Sequence, residues 1–208
     1  MSFVFSRVRT ELSGTSRAGV RQMMYEVWSE FWDATNAWQN NIPLNLKEGV
    51  TDYPIQPLDP GQIIRLLGVL DSNLINQVCM MPVIGTVTLR DPPTNTTPPV
   101  EMKALVALNV LPVDDDNVPF VPIWAEPLWG LIIYDGVVGR FCNQQGRPYS
   151  NDQKAVYHLK RYRDGLARAK TAVLRRNTFG VNAWQYPQSF RTRGQKGGVS
   201  VGGNQNVF

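Results

Sequence analysis

The spacing of apolar residues changes three times along the chain, and each change marks a different kind of element. Between Thr15 and Gln39, Val20, Met24, Val27, Phe31, Ala34 and Trp38 recur at alternating intervals of four and three, which places them on one face of a helix. Arg17, Arg21, Glu26, Glu30 and Asp33 occupy the rest of the surface, while Trp28 and Trp32 widen the apolar stripe. A stripe that wide predicts packing against more than one neighbour. Ser13, Thr15 and Ser16 are all suitable N-caps, because a short side-chain oxygen can accept from the free N–H groups of the first turn.

From Ile42 to Ile123 the period shortens. Short β-branched runs alternate with turn clusters such as Leu58-Asp59-Pro60-Gly61 and Asp91-Pro92-Pro93. Strands are predicted near 43–47, 50–55, 63–70, 74–81, 84–90 and 100–111, an antiparallel sheet or small sandwich. Alternation is clearest at Val100, Met102, Ala104, Val106 and Leu108, with Glu101 and Lys103 on the other face. Pro92 to Pro99 and Asp114 to Asn117 read as exposed loops.

Helical spacing then returns. A second helix opens near Trp124, with Pro127 in its first turn, and runs apolar almost all round until Gly146 and Pro148 end it. Such a helix belongs at the centre of the packing. Gly130, Gly136 and Gly139 each weaken it by about 1 kcal/mol relative to Ala, so close approach of another backbone is the expected compensation. Ser150-Asn151-Asp152-Gln153 has the form of a capping box, with Ser150 as N-cap. Ala155, Leu159, Tyr162, Leu166, Ala169 and Val173 continue from it as a third helical stripe ending near Asn177. The short connection makes this helix an antiparallel partner of the second.

After Phe179 nothing periodic remains. Trp184, Tyr186, Pro187 and Phe190 are spaced along an extended stretch followed by Arg191, Arg193 and Lys196, and the last twelve residues are mostly Gly, Ser, Asn and Val. Such a tail cannot bury enough surface by itself to offset its ordering entropy, so it is expected to order against a partner. Trp184, Tyr186, Pro187, Phe190, Arg191 and Arg193 are therefore the predicted docking residues. The fold class is α+β. Three main helices form a bundle, with an inserted antiparallel β-sheet or small sandwich and an extended C-terminal tail. The predicted divisions are an arm at 1–14, the first bundle helix at 15–41, a β-rich domain at 42–123, the helix pair at 124–178 and the docking tail at 179–208.

Charge sharpens this division. Residues 150–208 hold eleven Lys and Arg against two acids, a balance of +9, whereas residues 1–149 hold ten against fifteen, a balance of −5. Asymmetry of this kind points to a partner. On the third helix, Lys160, Arg161, Arg163, Arg168, Lys170, Arg175 and Arg176 form a dense basic face suited to a polyanion or to assembly. With aromatics and Arg interleaved in the tail, nucleic-acid binding is a credible second reading, although no zinc-finger, RNP or basic-zipper pattern supports sequence-specific recognition.

Catalytic chemistry has little to draw on. His158, the single histidine, is placed on the charged side of the third helix, solvated or hydrogen-bonded at the surface. No nucleophile elbow, P-loop or dinucleotide fingerprint occurs. Asp114, Asp115 and Asp116 lack the Gly and the final Glu of a calcium loop and read as solvated. The expectation is a non-enzyme without cofactor or metal. An apolar fraction of 43% supports a core, yet no apolar run reaches the roughly 18 residues of a membrane span. Nor does the N-terminus read as a signal peptide. Cys79 and Cys142 fit no metal spacing and are expected as reduced, buried thiols of a soluble, intracellular protein.

Several segments, in order, resemble the head-to-tail adaptor (connector) proteins of tailed bacteriophages. Tyr53-Pro54-Ile55-Gln56-Pro57 followed by Ile64-Arg65-Leu66-Leu67-Gly68-Val69 is similar to that family's hairpin. Pro122-Ile123-Trp124 leading into a Gly-containing apolar helix, the Gly146-Arg147-Pro148-Tyr149-Ser150 turn, the Tyr157-His158…Arg161-Tyr162…Ala167…Ala169 helix and Trp184-Gln185-Tyr186-Pro187…Phe190 resemble its later motifs. The likeness spans most of 15–190, with 71–121 matched only in strand pattern. It implies a structural virion protein of the phage neck, assembled in the host cytoplasm. Such a subunit forms a homo-oligomeric ring, commonly a dodecamer, that joins the portal protein to the tail or nozzle protein. The ring lines the channel for genomic DNA, without sequence specificity and without a membrane. The C-terminal tail would insert against the portal or a neighbouring subunit.

Overall fold

The computed structural model describes residues 3–71, 76–91, 93, 101–111 and 120–177. Residues 1–177 cluster as one compact unit. The architecture is α+β, with four helices and two small antiparallel sheets among the described residues.

The predicted arm contains a helix of its own, α1 (Phe3–Glu11). A helix this short is marginal alone and depends on what it packs against. Val4, Phe5 and Val8 are buried, and Glu126 Oε1 accepts from the Val4 N–H at 2.9 Å, capping an orphan donor of the first turn from a distant element. Its periodicity was too brief, and its stripe too interrupted by Arg7, Arg9 and Thr10, to stand out in the sequence.

Of the three candidate caps, Ser16 starts α2 (Arg17–Thr35), its Oγ accepting from the Gly19 N–H at 3.0 Å. The helix stops short of the expected Gln39. Asn36 adopts the left-handed region (φ 50°) and donates its N–H to Trp32 O, which reverses the chain. Trp38 therefore leaves the helix but stays buried beside Trp32, and Gln39 opens a strand instead.

The larger sheet contains β1 (Gln39–Leu44), β3 (Gln62–Leu70), β4 (Asn76–Gln77) and β7 (Met102–Asn109), in the order β1-β7-β3-β4. The smaller contains β2 (Asp52–Pro54), β5 (Cys79–Val83) and β6 (Thr86–Leu89), in the order β2-β6-β5. Strand β7 is central, registered with β1 from Gln39↔Ala107 to Leu44↔Met102 and with β3 from Gln62↔Asn109 to Leu70↔Lys103. The alternation expected around 100–111 does not persist. Ala104 to Asn109 are all buried, because a central strand covered on both faces has no solvent side. Asn109 also donates to Ser29 O at 3.1 Å, fastening the end of β7 to α2. Asn40 pins the predicted 58–61 turn, accepting from Leu58 N at 2.8 Å and donating to Asp59 Oδ2 at 2.9 Å.

The last two helices are α3 (Ala125–Cys142) and α4 (Asp152–Asn177). As expected, α3 is central, packing against α1, α2 and α4. Its glycines mark the contacts. A Cβ on Gly136 would lie 2.7 Å from Val27 Cγ1, and one on Gly139 would meet the Leu159 side chain at 2.9 Å and the Leu159 backbone N at 3.0 Å. Backbone approach is thus the reason at Gly139, whereas at Gly136 a neighbouring side chain fills the space. Phe31, Trp32, Trp38, Trp124 and Trp129 form an aromatic cluster joining α2, α3 and the chain entering β1. Helix α3 ends at Cys142, earlier than Gly146, whose positive φ (74°) instead makes the turn into α4. Both thiols are free. Cys142 is buried, but Cys79 is only partly so.

Candidate functional site

Helix α4 carries the basic face singled out in the sequence. Its cap lies one residue later than the capping box placed it. Asn151 Oδ1, not Ser150, accepts from the Lys154 N–H at 2.9 Å, and Asn151 O accepts from Ala155 N. The one-residue shift leaves the apolar stripe in place. Ala155, Tyr162, Ala169 and Val173 are buried against the bundle.

The seven cations do not act alike. Lys160, Arg163, Arg168 and Lys170 are exposed, and none of them makes an ion pair with a described residue. Lys160, Arg163 and Lys170 follow one another at intervals of three and seven, so they share a stripe about 15 Å long at 1.5 Å rise per residue. Arg175 is also exposed, on the last turns. The Arg176 side chain lies outside the described residues.

Arg161 belongs to a different feature. Its Nε forms an ion pair with Asp135 Oδ2 at 3.1 Å, and its Nη1 donates to Tyr157 Oη at 2.8 Å. The Tyr157 hydrogen bond first, and the Asp135 carboxylate after it, push the guanidinium pKa up. Asp135 projects from the middle of α3 and is buried. Its other oxygen accepts from the Nδ1–H of His158 at 2.8 Å. His158 is therefore not a solvated surface residue. It is buried, with its ring edge-on to Tyr134 (5.9 Å) and Tyr157 (5.1 Å). A charged-looking helix position became an interior one because α3 brings an acid to meet it.

The polar network continues to α1. Tyr134 donates its hydroxyl to Glu11, Lys154 pairs with Glu11, and the Arg7 guanidinium stacks 4.5 Å over the Tyr134 ring. The hydrogen bonds from Lys154 and then Tyr134 hold the Glu11 carboxyl below its ordinary value. Burial, reinforced by Glu11, pushes the Tyr134 phenol up to about 12. On the far side of α3, Arg140 pairs with Glu26 and Glu30 of α2. Asp135, Glu11, Lys154 and Tyr134 were not singled out from the sequence. The available signal was an aspartate in the otherwise apolar run Gly130 to Gly139, which needs a partner wherever it is buried.

Chemically, this network is a clamp. The imidazole is held by a carboxylate, but among the described residues no serine, threonine or cysteine hydrogen-bonds to it. No cluster of three or more metal-ligating side chains occurs among the described residues either. Asp114, Asp115 and Asp116, and the docking residues Trp184, Tyr186, Pro187, Phe190, Arg191 and Arg193, lie outside the described residues. Among the described residues, no helix is long and apolar enough to cross a membrane. No protein-family model matches the chain, and no curated protein matches it at a significant level.

Proposed function

We propose that this chain is a non-enzymatic structural subunit, a head-to-tail adaptor of a tailed bacteriophage. In this reading it assembles as a ring, a dodecamer if it follows the family it resembles, between the portal and the tail or nozzle. The observation that carries the reading is the row formed by Lys160, Arg163 and Lys170, with Arg168 beside it, exposed and without acidic partners among the described residues. Repetition of one such row around a ring turns a modest charge pattern into a strong positive collar. A collar of that kind suits a DNA channel or an acidic portal surface. The Asp135 clamp and the glycine contacts of α3 support it by fixing the helix that presents the row.

The bundle of three main helices, α2 to α4, would be the ring scaffold, and the β region would face tail components or neighbours. Residues 179–208 would be the strap that docks on portal or on the next subunit, with Trp184, Tyr186, Phe190, Arg191 and Arg193 as anchors, since buried aromatics and Arg dominate many interfaces. The protein would reside in the virion neck. Electron microscopy of the purified chain mixed with portal protein tests this. Rings stacked on portals are expected, and their absence at saturating concentrations rejects the adaptor. Portal attachment by a chain lacking 180–208 would reject the strap.

The same exposed row favours one second reading, a basic nucleic-acid-binding protein that acts without a portal. It predicts DNA retention by the monomer that falls steeply with salt.

A further inference from the structure

Helix α4 carries two stripes of the same period, and the fold uses one of them. Ala155, Tyr162, Ala169 and Val173 are buried, and Leu159 and Leu166 are half-buried beside them. Each of these six is followed by a residue of a second set: Val156, Lys160, Arg163, Ala167, Lys170 and Leu174, all exposed. A step of one residue is about 100° round an α-helix, so the second set repeats the four-three spacing as a separate face about 27 Å long.

The second face is ordered in composition as well as spacing. Its ends are apolar, with Val156 69% and Leu174 58% exposed, and Ala167 lies between them. The other three positions are cations, none of which makes an ion pair with a described residue. Asp164, the single acid in 153–177, stands off the stripe. An exposed Val or Leu by itself is ordinary. Here both fall in register with Lys and Arg, whose aliphatic stems extend the apolar surface between them. Four-three spacing is the seam along which a second helix packs.

We propose that this face receives an acidic amphipathic helix of a partner protein. The partner helix sets aliphatic residues against Val156, Ala167 and Leu174, and Asp or Glu against Lys160, Arg163 and Lys170. Charge complementarity fixes the sign of the partner, since three unpaired cations admit acids and reject bases along the same line. The apolar positions fix its class. A nucleic-acid backbone engages the cations but gains nothing from Val156 and Leu174, whereas a helix buries them at the spacing they already have. The acidic row of a second copy is a poor fit, because Glu26 and Glu30 on α2 are paired with Arg140, and Asp33 with Arg65. This inference rests on the reading of Lys160, Arg163 and Lys170 as a functional surface and narrows their partner from any polyanion to an acidic helix.

A dye-labelled helical peptide with Leu and Glu in this pattern is titrated with the full chain and followed by fluorescence anisotropy. A scrambled peptide of identical composition and a short DNA duplex are titrated beside it. The patterned peptide is expected to bind about tenfold more tightly than the scrambled one, because only the first can bury its apolar residues and pair its charges together. Val156→Ser combined with Leu174→Ser is expected to remove that preference while leaving the thermal melt unchanged, since both side chains are exposed. Equal affinity for the two peptides, or a preference that survives the double substitution, overturns the proposal. Tighter binding of the duplex than of the patterned peptide also overturns it and assigns the face to nucleic acid. The adaptor reading fails separately: a chain that shows the preference but forms no rings on portals keeps the acidic-helix site and loses the adaptor role.

Discussion

His158 on α4 and Asp135 on α3, 2.8 Å apart and both buried, form the polar joint of the helix pair. The carboxylate also holds Arg161, so a single acid orients two side chains on successive turns of α4. The exposed cations Lys160 and Arg163 lie on the same stretch of α4, turned away from His158 at helical spacing.

Removing the acid is expected to cost more than removing either partner. Asp135→Ala strands a buried imidazole and should lower stability by about 2–4 kcal/mol in urea unfolding. Asp135→Asn keeps an acceptor for His158 and should recover part of that loss. If Arg161→Ala, at the solvent edge, proves more damaging than Asp135→Ala, the joint is misassigned.

The contact between Gly139 and Leu159 predicts an inverted helix-propensity effect. Ala normally gains about 1 kcal/mol over Gly in a helix, but here its Cβ meets a backbone nitrogen as well as a side chain. Overpacking of this kind costs about 1–3 kcal/mol, so Gly139→Ala should melt below the parent chain. An equal or higher melting temperature would mean that α3 and α4 do not approach this closely.

Tyr162 is buried, and its hydroxyl has no hydrogen-bond partner among the described residues. Burial pushes its pKa up to about 12. Because burial disfavours the ionised phenol, stability is unaffected by this titration below the ordinary value near 10 and falls as pH rises from there through the folded value. Tyr162→Phe should therefore flatten the alkaline limb of the stability profile. It should also add roughly 1 kcal/mol at neutral pH, because an unsatisfied polar group leaves the core. Thermal melts between about pH 7 and 12 would show both effects.

Glu11 gives the opposite sign. Its folded-state pKa is depressed, first by Lys154 and then by Tyr134, so the stability it contributes is present above the unfolded value and is lost as pH falls through the folded one. Glu11→Gln should be less stable than the parent at neutral pH, and the gap should close on acidification below about pH 4. A gap independent of pH would show that the Glu11 contacts contribute no charge-dependent stability.

Replacing Lys160, Arg163 and Lys170 together with Glu should scarcely change the fold, since exposed substitutions typically stay within about 0.5 kcal/mol each. Any binding to portal or to DNA that uses this row should fall sharply, and a DNA salt slope should shrink by about three. Retained binding with an unchanged slope would move the functional surface elsewhere.

Local pattern was enough for much of this architecture. The four-three spacing of α2 and α4, the apolar run of α3, the 58–61 turn and the concentration of cations after Ser150 are periodic or compositional, and each was legible without coordinates. What escaped depends on partners distant in sequence. The nine residues of α1 are helical because Glu126 and α3 receive them. The burial of consecutive residues from Ala104 to Asn109 follows from cover on both faces of β7, which no local pattern announces. The exit of Trp38 from α2 follows from one left-handed residue, Asn36. The candidate site divides in the same way. Which residues of α4 are basic is written in the chain, but that His158 is buried and Arg161 is ion-paired, while Lys160, Arg163, Arg168 and Lys170 have no ion pair among the described residues, was decided by the place of Asp135. Its carboxylate is costly to bury unless it is paired, and only the packing of α3 on α4 brings its partners within reach.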